Sequence, residues 1–367
     1  MSFDLAPTDR LQIPPSTRAL ISDLQTRSRL AVMASMPTGE PGSYLYDLLP
    51  SYPERASKAL RPVLCLASCL AHGGTVAEAM PFAVSLELMH NAFLVHDDIQ
   101  DESDERRGRP SLHVEHGVPL ALNAGDALVM LANIKLACAA QSLGGETAAL
   151  LLERWGWTMR ETIEGQALDL GWQRDNVTDL VLDDYFVMAG KKTAWYTTIL
   201  PLAVGALVGS RRTSGVDESF DFGWTLGLLF QIANDLRGLD PPNGSGDISE
   251  GKRTILIVHL LGVLDGCERA ELTRIIGLPR VLRGRDEVAW VRDRMEEHGS
   301  VEFARACLFG LVGAAVRQAE LAFSNMPDTP ARQLLLSITP YLMEMDGLLP
   351  PPPELALAPR RPVEVRK

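Results

Sequence analysis

The spacing of apolar residues constrains this chain more than any other feature. Over long stretches they recur every three or four positions, the period of one face of an α-helix. Such runs cover residues 17–35, 58–72, 76–101, 119–141, 145–172, 217–239, 251–264, 285–297, 300–324 and 329–346. The alternating pattern of half-buried strands is scarce, and no glycine-rich strand-to-helix turn of the dinucleotide-binding kind occurs. Breaks fall at clusters of Pro, Gly and Asp near 36–43, 106–110, 173–178 and 240–247. The pattern predicts an all-α fold of roughly ten or more helices in a single domain over residues 16–349. An irregular segment, 1–15, precedes it, and a proline-rich tail, 350–367, follows it.

Composition narrows the function. With a formal net charge of −12 the chain lacks the basic balance of a nucleic-acid binder, and no nucleic-acid partner is expected. The five cysteines are scattered through apolar runs without metal-type spacing, as in reduced proteins. No uninterrupted apolar segment reaches the ~20 residues of a membrane span. The N-terminus, with Asp4 and Asp9 among prolines, does not read as a signal peptide. A cytoplasmic location is expected.

Asp97-Asp98-Ile99-Gln100-Asp101 closes an apolar helical run. Asp97 and Asp101 fall four positions apart and share a helix face, where two carboxylates repel unless a cation lies between them. Hard oxygen ligands of this kind suit Mg²⁺, which commonly bridges carboxylates to substrate phosphates. Acidic groups at a helix C-terminus also oppose its dipole, a local conflict typical of functional sites. Basic clusters accompany the motif: Lys58 with Arg61, the run Arg106-Arg107-Gly108-Arg109, then Lys191-Lys192-Thr193 and Lys252-Arg253-Thr254. Guanidinium and ammonium groups bind phosphate oxygens. In an acidic protein, this interleaving points to one pocket for magnesium and diphosphates.

These residues resemble the trans-isoprenyl diphosphate synthases, or polyprenyl synthetases, over about residues 45–265. The most specific segment is His90-Asn91-Ala92-Phe93-Leu94-Val95-His96-Asp97-Asp98-Ile99-Gln100-Asp101 with the following Arg106-Arg107-Gly108. Lys58-x-x-Arg61-Pro62, Gly125-Asp126-Ala127, Gly165-Gln166-x-x-Asp169, Lys192-Thr193, Phe230-Gln231 and Asp247-x-x-Glu250-Gly251-Lys252 also match, in order. The resemblance implies the isoprenoid synthase fold, helices around a deep cavity, and a homodimer. It implies a Mg²⁺-dependent prenyltransferase that joins an allylic diphosphate to isopentenyl diphosphate. Asp97, Asp98 and Asp101, with Asn234 and Asp235 opposite, would hold two or three Mg²⁺ ions on the allylic diphosphate. Arg106, Lys192 and Lys252 would neutralise the leaving group. Lys58, Arg61, His90 and Arg107 would bind isopentenyl diphosphate, and Thr193 and Gln231 would line the reacting carbons. Released pyrophosphate would take the final proton.

The second acidic motif departs from the family's D-D-x-x-D, reading Asn234-Asp235-Leu236-Arg237-Gly238. Asn234 offers a neutral oxygen where the family has a carboxylate, and Gly238 removes the third carboxylate. Asp240, two positions on in the sequence, is the candidate to compensate. Asparagine at this position also heads the metal motif of class I terpene cyclases, which act on one prenyl diphosphate; Gly238 and Pro242 break the rest of that pattern. A non-catalytic partner subunit is a further alternative. Lys58, Arg61, His90 and Arg107, residues for a second diphosphate, favour condensation over both. Phe93, one turn or about 6 Å below Asp97 on the same face, is expected to stop the growing chain early. The expected product is short, C20 or C15, with C20 preferred.

Overall fold

The computed structural model describes residues 13–55, 57–213, 215–239 and 246–348. Most of the irregular segment 1–15, the tail 350–367 and Asp240 lie outside them. Fifteen α-helices follow in order, with one two-stranded ribbon as the only sheet among the described residues. They are α1 (Pro15–Ala34), α2 (Leu60–Ala71), α3 (Val76–Gln100), α4 (Leu112–His116), α5 (Val118–Ala140), α6 (Gly145–Arg174), α7 (Leu182–Ala189), α8 (Leu200–Ser210), α9 (Phe220–Gly238), α10 (Asp247–Glu250), α11 (Ile255–Val263), α12 (Gly266–Ile276), α13 (Arg285–Glu297), α14 (Ser300–Ala322) and α15 (Pro330–Met345). The ten periodic runs all correspond to helices. The segment from Leu182 to Ser210 was not among those runs. It forms α7, a π-helical stretch over Gly190–Ile199, and α8. A π-turn shifts the face on which each side chain falls, which obscures a 3.6-residue period.

α3 is the axis of the bundle. Thr75 and Glu78 cap its start reciprocally, the Glu78 amide donating to Thr75 Oγ1 at 3.3 Å and the Thr75 amide to Glu78 Oε2 at 2.9 Å. Every residue from Phe82 to Ala92 is buried. A helix apolar on all sides must be enclosed by others, and α2, α5 and α8 pack around it. α9 runs between the π-helical stretch and α14, while α15 returns over α1 and α2. Small residues bring these elements close. A Cβ on Gly165 of α6 would lie 2.2 Å from the backbone nitrogen of Lys192, and one on Gly227 would lie 2.4 Å from Cα of Ala194. Both helices therefore rest directly on the π-helical backbone.

Two helices correct the expectation about membrane-length segments. Val118–Ala140 and the continuous run Leu182–Ser210 are long and apolar enough to cross a membrane by length and composition. In the second, 78% of the apolar window is buried inside the fold. The first, α5, packs one face on α3 and leaves Val118, Leu122, Met130 and Ile134 exposed on the other.

Candidate active site

The helices enclose a cavity of about 1180 Å³. Its mouth is polar, with Lys58, Arg61, Asp97, Arg106, Arg107, Asp169, Lys192, Asn234, Asp235, Asp247 and Lys252 on the wall. Its depth is apolar, reaching Met89, Phe93, Val129, Trp155 and Met159. The basic and acidic clusters separated in sequence thus converge on one pocket.

The first acidic motif divides its labour. Asp97 lines the cavity and accepts from Gln166 Nε2 at 3.2 Å and Arg106 at 3.3 Å, with Lys192 Nζ at 3.7 Å. Burial pushes its carboxyl upward, but Lys192, Lys252 and Arg106 outweigh this and hold it well below the usual carboxylate range. Asp101, one turn on, is also buried and off the cavity wall, and meets Lys252 Nζ at 2.7 Å. Burial and the neighbouring Asp97 charge push its carboxyl up to about 7. Asp98 is placed differently from expectation. It is fully buried, absent from the cavity wall, and accepts from the Tyr52 hydroxyl and the Arg106 guanidinium, Nε at 2.8 Å. Adjacent helix positions point about 100° apart, and here Asp97 faces the cavity while Asp98 turns to Tyr52 and Arg106. Asp98 aims Arg106.

The ribbon that carries Arg106 and Arg107 pairs Glu105 with Pro110 and Arg106 with Arg109. Arg107 and Gly108, at φ 54° and 76°, form its two-residue turn, the positive-φ geometry such hairpins require. Arg55 pins it by donating to the carbonyls of Arg106 (2.8 Å), Arg109 (3.3 Å) and Pro110 (2.9 Å).

Lys58, Arg61, His90 and Arg107 also line the cavity. Arg61 donates to Thr197 Oγ1 at 2.7 Å, and its guanidinium lies 4.3 Å from the centre of the Tyr196 ring. His90 is buried on the cavity wall with Nδ1 unpartnered. Burial, then Arg61 and Arg107, drives its pKa well down, so the ring is neutral. Lys58 meets Asp346, just beyond α15, at 2.5 Å; burial lowers its pKa although Asp346 opposes this. Glu87 joins this wall, buried, with Oε2 unpartnered and its carboxyl raised by burial. Its signal was available, one turn before His90 on a helix otherwise apolar there.

Lys192 and Lys252 sit among carboxylates. Lys192 Nζ lies 2.6 Å from Asp169, and Lys252 Nζ lies 2.7 Å from Glu250 and 3.8 Å from Asp247. Burial works against their charge, but these anions prevail and keep both protonated. Thr193 donates to Gln231 Oε1 at 2.6 Å, and Gln231 donates to Asp235 at 2.8 Å.

The second motif departs further than its sequence suggests. Asn234 lines the cavity, its carbonyl accepting from Arg237. Asp235 receives three donors: the Tyr185 hydroxyl (2.8 Å), the Ile255 amide (3.0 Å) and Gln231. Burial nevertheless lifts its carboxyl to about 6. It is thereby a tie between α7, α9 and α11 as much as an open ligand. The carboxylate of Asp247 occupies the space beside Gly238, where a Cβ would fall 2.1 Å from its Oδ2. Burial, with Asp235 and Glu250 nearby, pushes Asp247 up to about 7 against the pull of Lys252. Gly238 removes one carboxylate and makes room for another.

Phe93 is on the wall, but the cavity continues past it. Its ring stands edge-on to Tyr196, 5.4 Å between centres, and Met89, a turn deeper, is still exposed to the cavity. His96 has a packing role: a Cβ on Gly125 would lie 2.3 Å from its ring, so Gly125 lets α5 close on α3.

A helical bundle around a cavity with an acidic motif, clustered cations and an apolar depth defines a diphosphate-handling enzyme. The polyprenyl synthetase family matches residues 43–292. The chain belongs to this family of prenyltransferases. A short chain isoprenyl diphosphate synthase from Methanothermobacter thermautotrophicus is 32% identical over 299 residues, 79% of this chain and 86% of that one. A geranylgeranyl diphosphate synthase from Sulfolobus acidocaldarius is 33% identical, over 60% of this chain and 68% of that one. Among solved structures, geranylgeranyl pyrophosphate synthetase from Pyrococcus horikoshii superposes with a TM-score of 0.77 at 27% identity, covering 89% of this chain and 98% of that one.

Proposed function

We propose that this enzyme condenses an allylic diphosphate with isopentenyl diphosphate to give a short all-trans prenyl diphosphate, C20 rather than C15. One observation carries the reading: two cationic walls face one cavity. Arg106, Lys192 and Lys252 stand around the acidic motif, while Arg61 and Arg107 lie beside the neutral His90 and Lys58 adds a further cation to the cavity wall. A cyclase or a non-catalytic subunit has no use for the second group.

Asp97 and Asp101 on one side, and Asn234 and Asp247 with the engaged Asp235 on the other, are the hard oxygen donors that suit Mg²⁺. Bound there, two or three ions would act as Lewis acids on the leaving diphosphate. The protein's own residues do the rest. Arg106, aimed by Asp98, and Lys192, flanked by Asp97 and Asp169, stabilise charge as the allylic C–O bond breaks to a carbocation and pyrophosphate. Tyr196, Thr193 and Gln231 border the cation. Arg61, Arg107 and Lys58 hold isopentenyl diphosphate so that its terminal carbon bonds to the cation, after which one proton leaves and the new double bond forms. The apolar depth excludes water that would otherwise capture the cation.

The exposed stripe Leu122, Met130 and Ile134 on α5, with Leu152, Trp157 and Ile163 on α6, supports a homodimer built on this face. The catalytic reading is tested by incubating the protein with farnesyl diphosphate and Mg²⁺, with and without isopentenyl diphosphate. Turnover only when both diphosphates are present is expected. Cyclic hydrocarbon from farnesyl diphosphate alone, or no turnover, overturns it.

A further inference from the structure

On α6 the cavity wall begins at Trp155, where a polar contact spans α5 and α6. The indole Nε1 of Trp155 on α6 donates to Asn133 Oδ1 on α5 at 3.1 Å, and Asn133 Nδ2 donates to the Val129 carbonyl at 2.8 Å. Trp155 is 4% exposed, and all three residues line the cavity. A buried indole N–H without a partner is costly. Asn133 satisfies it and in doing so fixes the angle of the ring across the gap between the two helices. Asn133 is itself tethered one turn back, so the pair is a braced floor rather than two loose side chains.

The depth of this floor can be measured on α6. Gln166 bonds to Asp97 and marks the level of the acidic motif. Trp155 lies eleven positions earlier, which at the rise of a helix places it about 16 Å below. An extended chain advances about 1.2 Å per bond, so this depth takes roughly thirteen bonds. The main chain of a farnesyl group is shorter than that, and that of a geranylgeranyl group is longer. Farnesyl diphosphate therefore fits as the last allylic substrate, and its condensation product no longer fits to be extended again.

We propose that Trp155, braced by Asn133, sets the product length, and that Phe93 is a wall residue without that control. This rests on the condensation reading above. The test is the product distribution, by mass spectrometry, of the wild type and three variants supplied with isopentenyl diphosphate and either farnesyl or geranylgeranyl diphosphate. Wild type is expected to stop at C20 and to leave geranylgeranyl diphosphate unextended. Trp155→Ala is expected to extend it, raising the ratio of C25 and longer products to C20 at least tenfold, whereas Phe93→Ala keeps the wild-type profile. Met159 lies one turn above Trp155 and also faces the cavity. Met159→Trp removes no packing and is expected to shift the product toward C15; this arm decides the matter if Trp155→Ala does not fold. An unchanged profile in Met159→Trp, or release to C25 by Phe93→Ala in place of Trp155→Ala, overturns the proposal. A wild type that consumes no isopentenyl diphosphate overturns the condensation reading and the proposal together, whereas normal condensation with no shift in length overturns only the proposal.

Discussion

Asp97 and Asp98 are neighbours in sequence with opposite duties, and their variants should separate. Asp98 is the fully buried partner of Arg106 and Tyr52. Asp98→Ala leaves the guanidinium without its main counter-charge and the Tyr52 hydroxyl without its acceptor, and breaking a pair with a buried partner in this way costs about 3 kcal/mol. A clear drop in thermal or denaturant midpoint is expected. Asp97→Asn keeps its shape and the Gln166 contact but loses the charge that Lys192 and Arg106 stabilise, so the midpoint should fall less than in Asp98→Ala while kcat falls at least about a hundredfold. The acidic motif was legible because three carboxylates at a helix end are locally unfavourable. Its division of labour was not, since the partner that claims Asp98, Tyr52, is remote in sequence. Asp346 was missed for the same reason: it reads as an ordinary charge until the fold brings Lys58 and Arg237 to it.

At the scale of elements, glycines decide how closely the catalytic helices meet. Gly165→Ala forces α6 away from the Lys192 backbone, which its Cβ would meet at 2.2 Å. Overpacking of this kind costs about 1–3 kcal/mol, and the displaced Lys192 should also reduce kcat. Circular-dichroism melts and steady-state rates check both. Gly238→Ala tests whether Asp247 serves the second metal pole. The added methyl displaces the Asp247 carboxylate, so Mg²⁺ affinity by calorimetry should weaken at least about tenfold; unchanged affinity would show that Asp247 is not used. Helices with a steady period were readable from the sequence. The π-helical stretch was not, because it breaks the period while carrying Lys192, Thr193 and Tyr196 into the cavity.

At the scale of the whole molecule, the bundle surrounds a cavity lined by cations and carboxylates and leaves an apolar face uncovered on α5 and α6. Ile134→Glu with Met130→Glu should convert a dimer to a monomer in sedimentation velocity, with the helical spectrum intact. The all-α architecture followed from periodicity alone, but the depth of the cavity did not, because it depends on how α5 and α6 meet at Asn133 and Trp155. The central claim is that two diphosphates share this cavity, one ionising and the other attacking. The most direct measurement uses isotopically labelled isopentenyl diphosphate with unlabelled farnesyl diphosphate and Mg²⁺, followed by mass analysis of the products. Geranylgeranyl diphosphate carrying one labelled unit is the predicted result. Label remaining wholly in isopentenyl diphosphate while farnesyl diphosphate is consumed would contradict it.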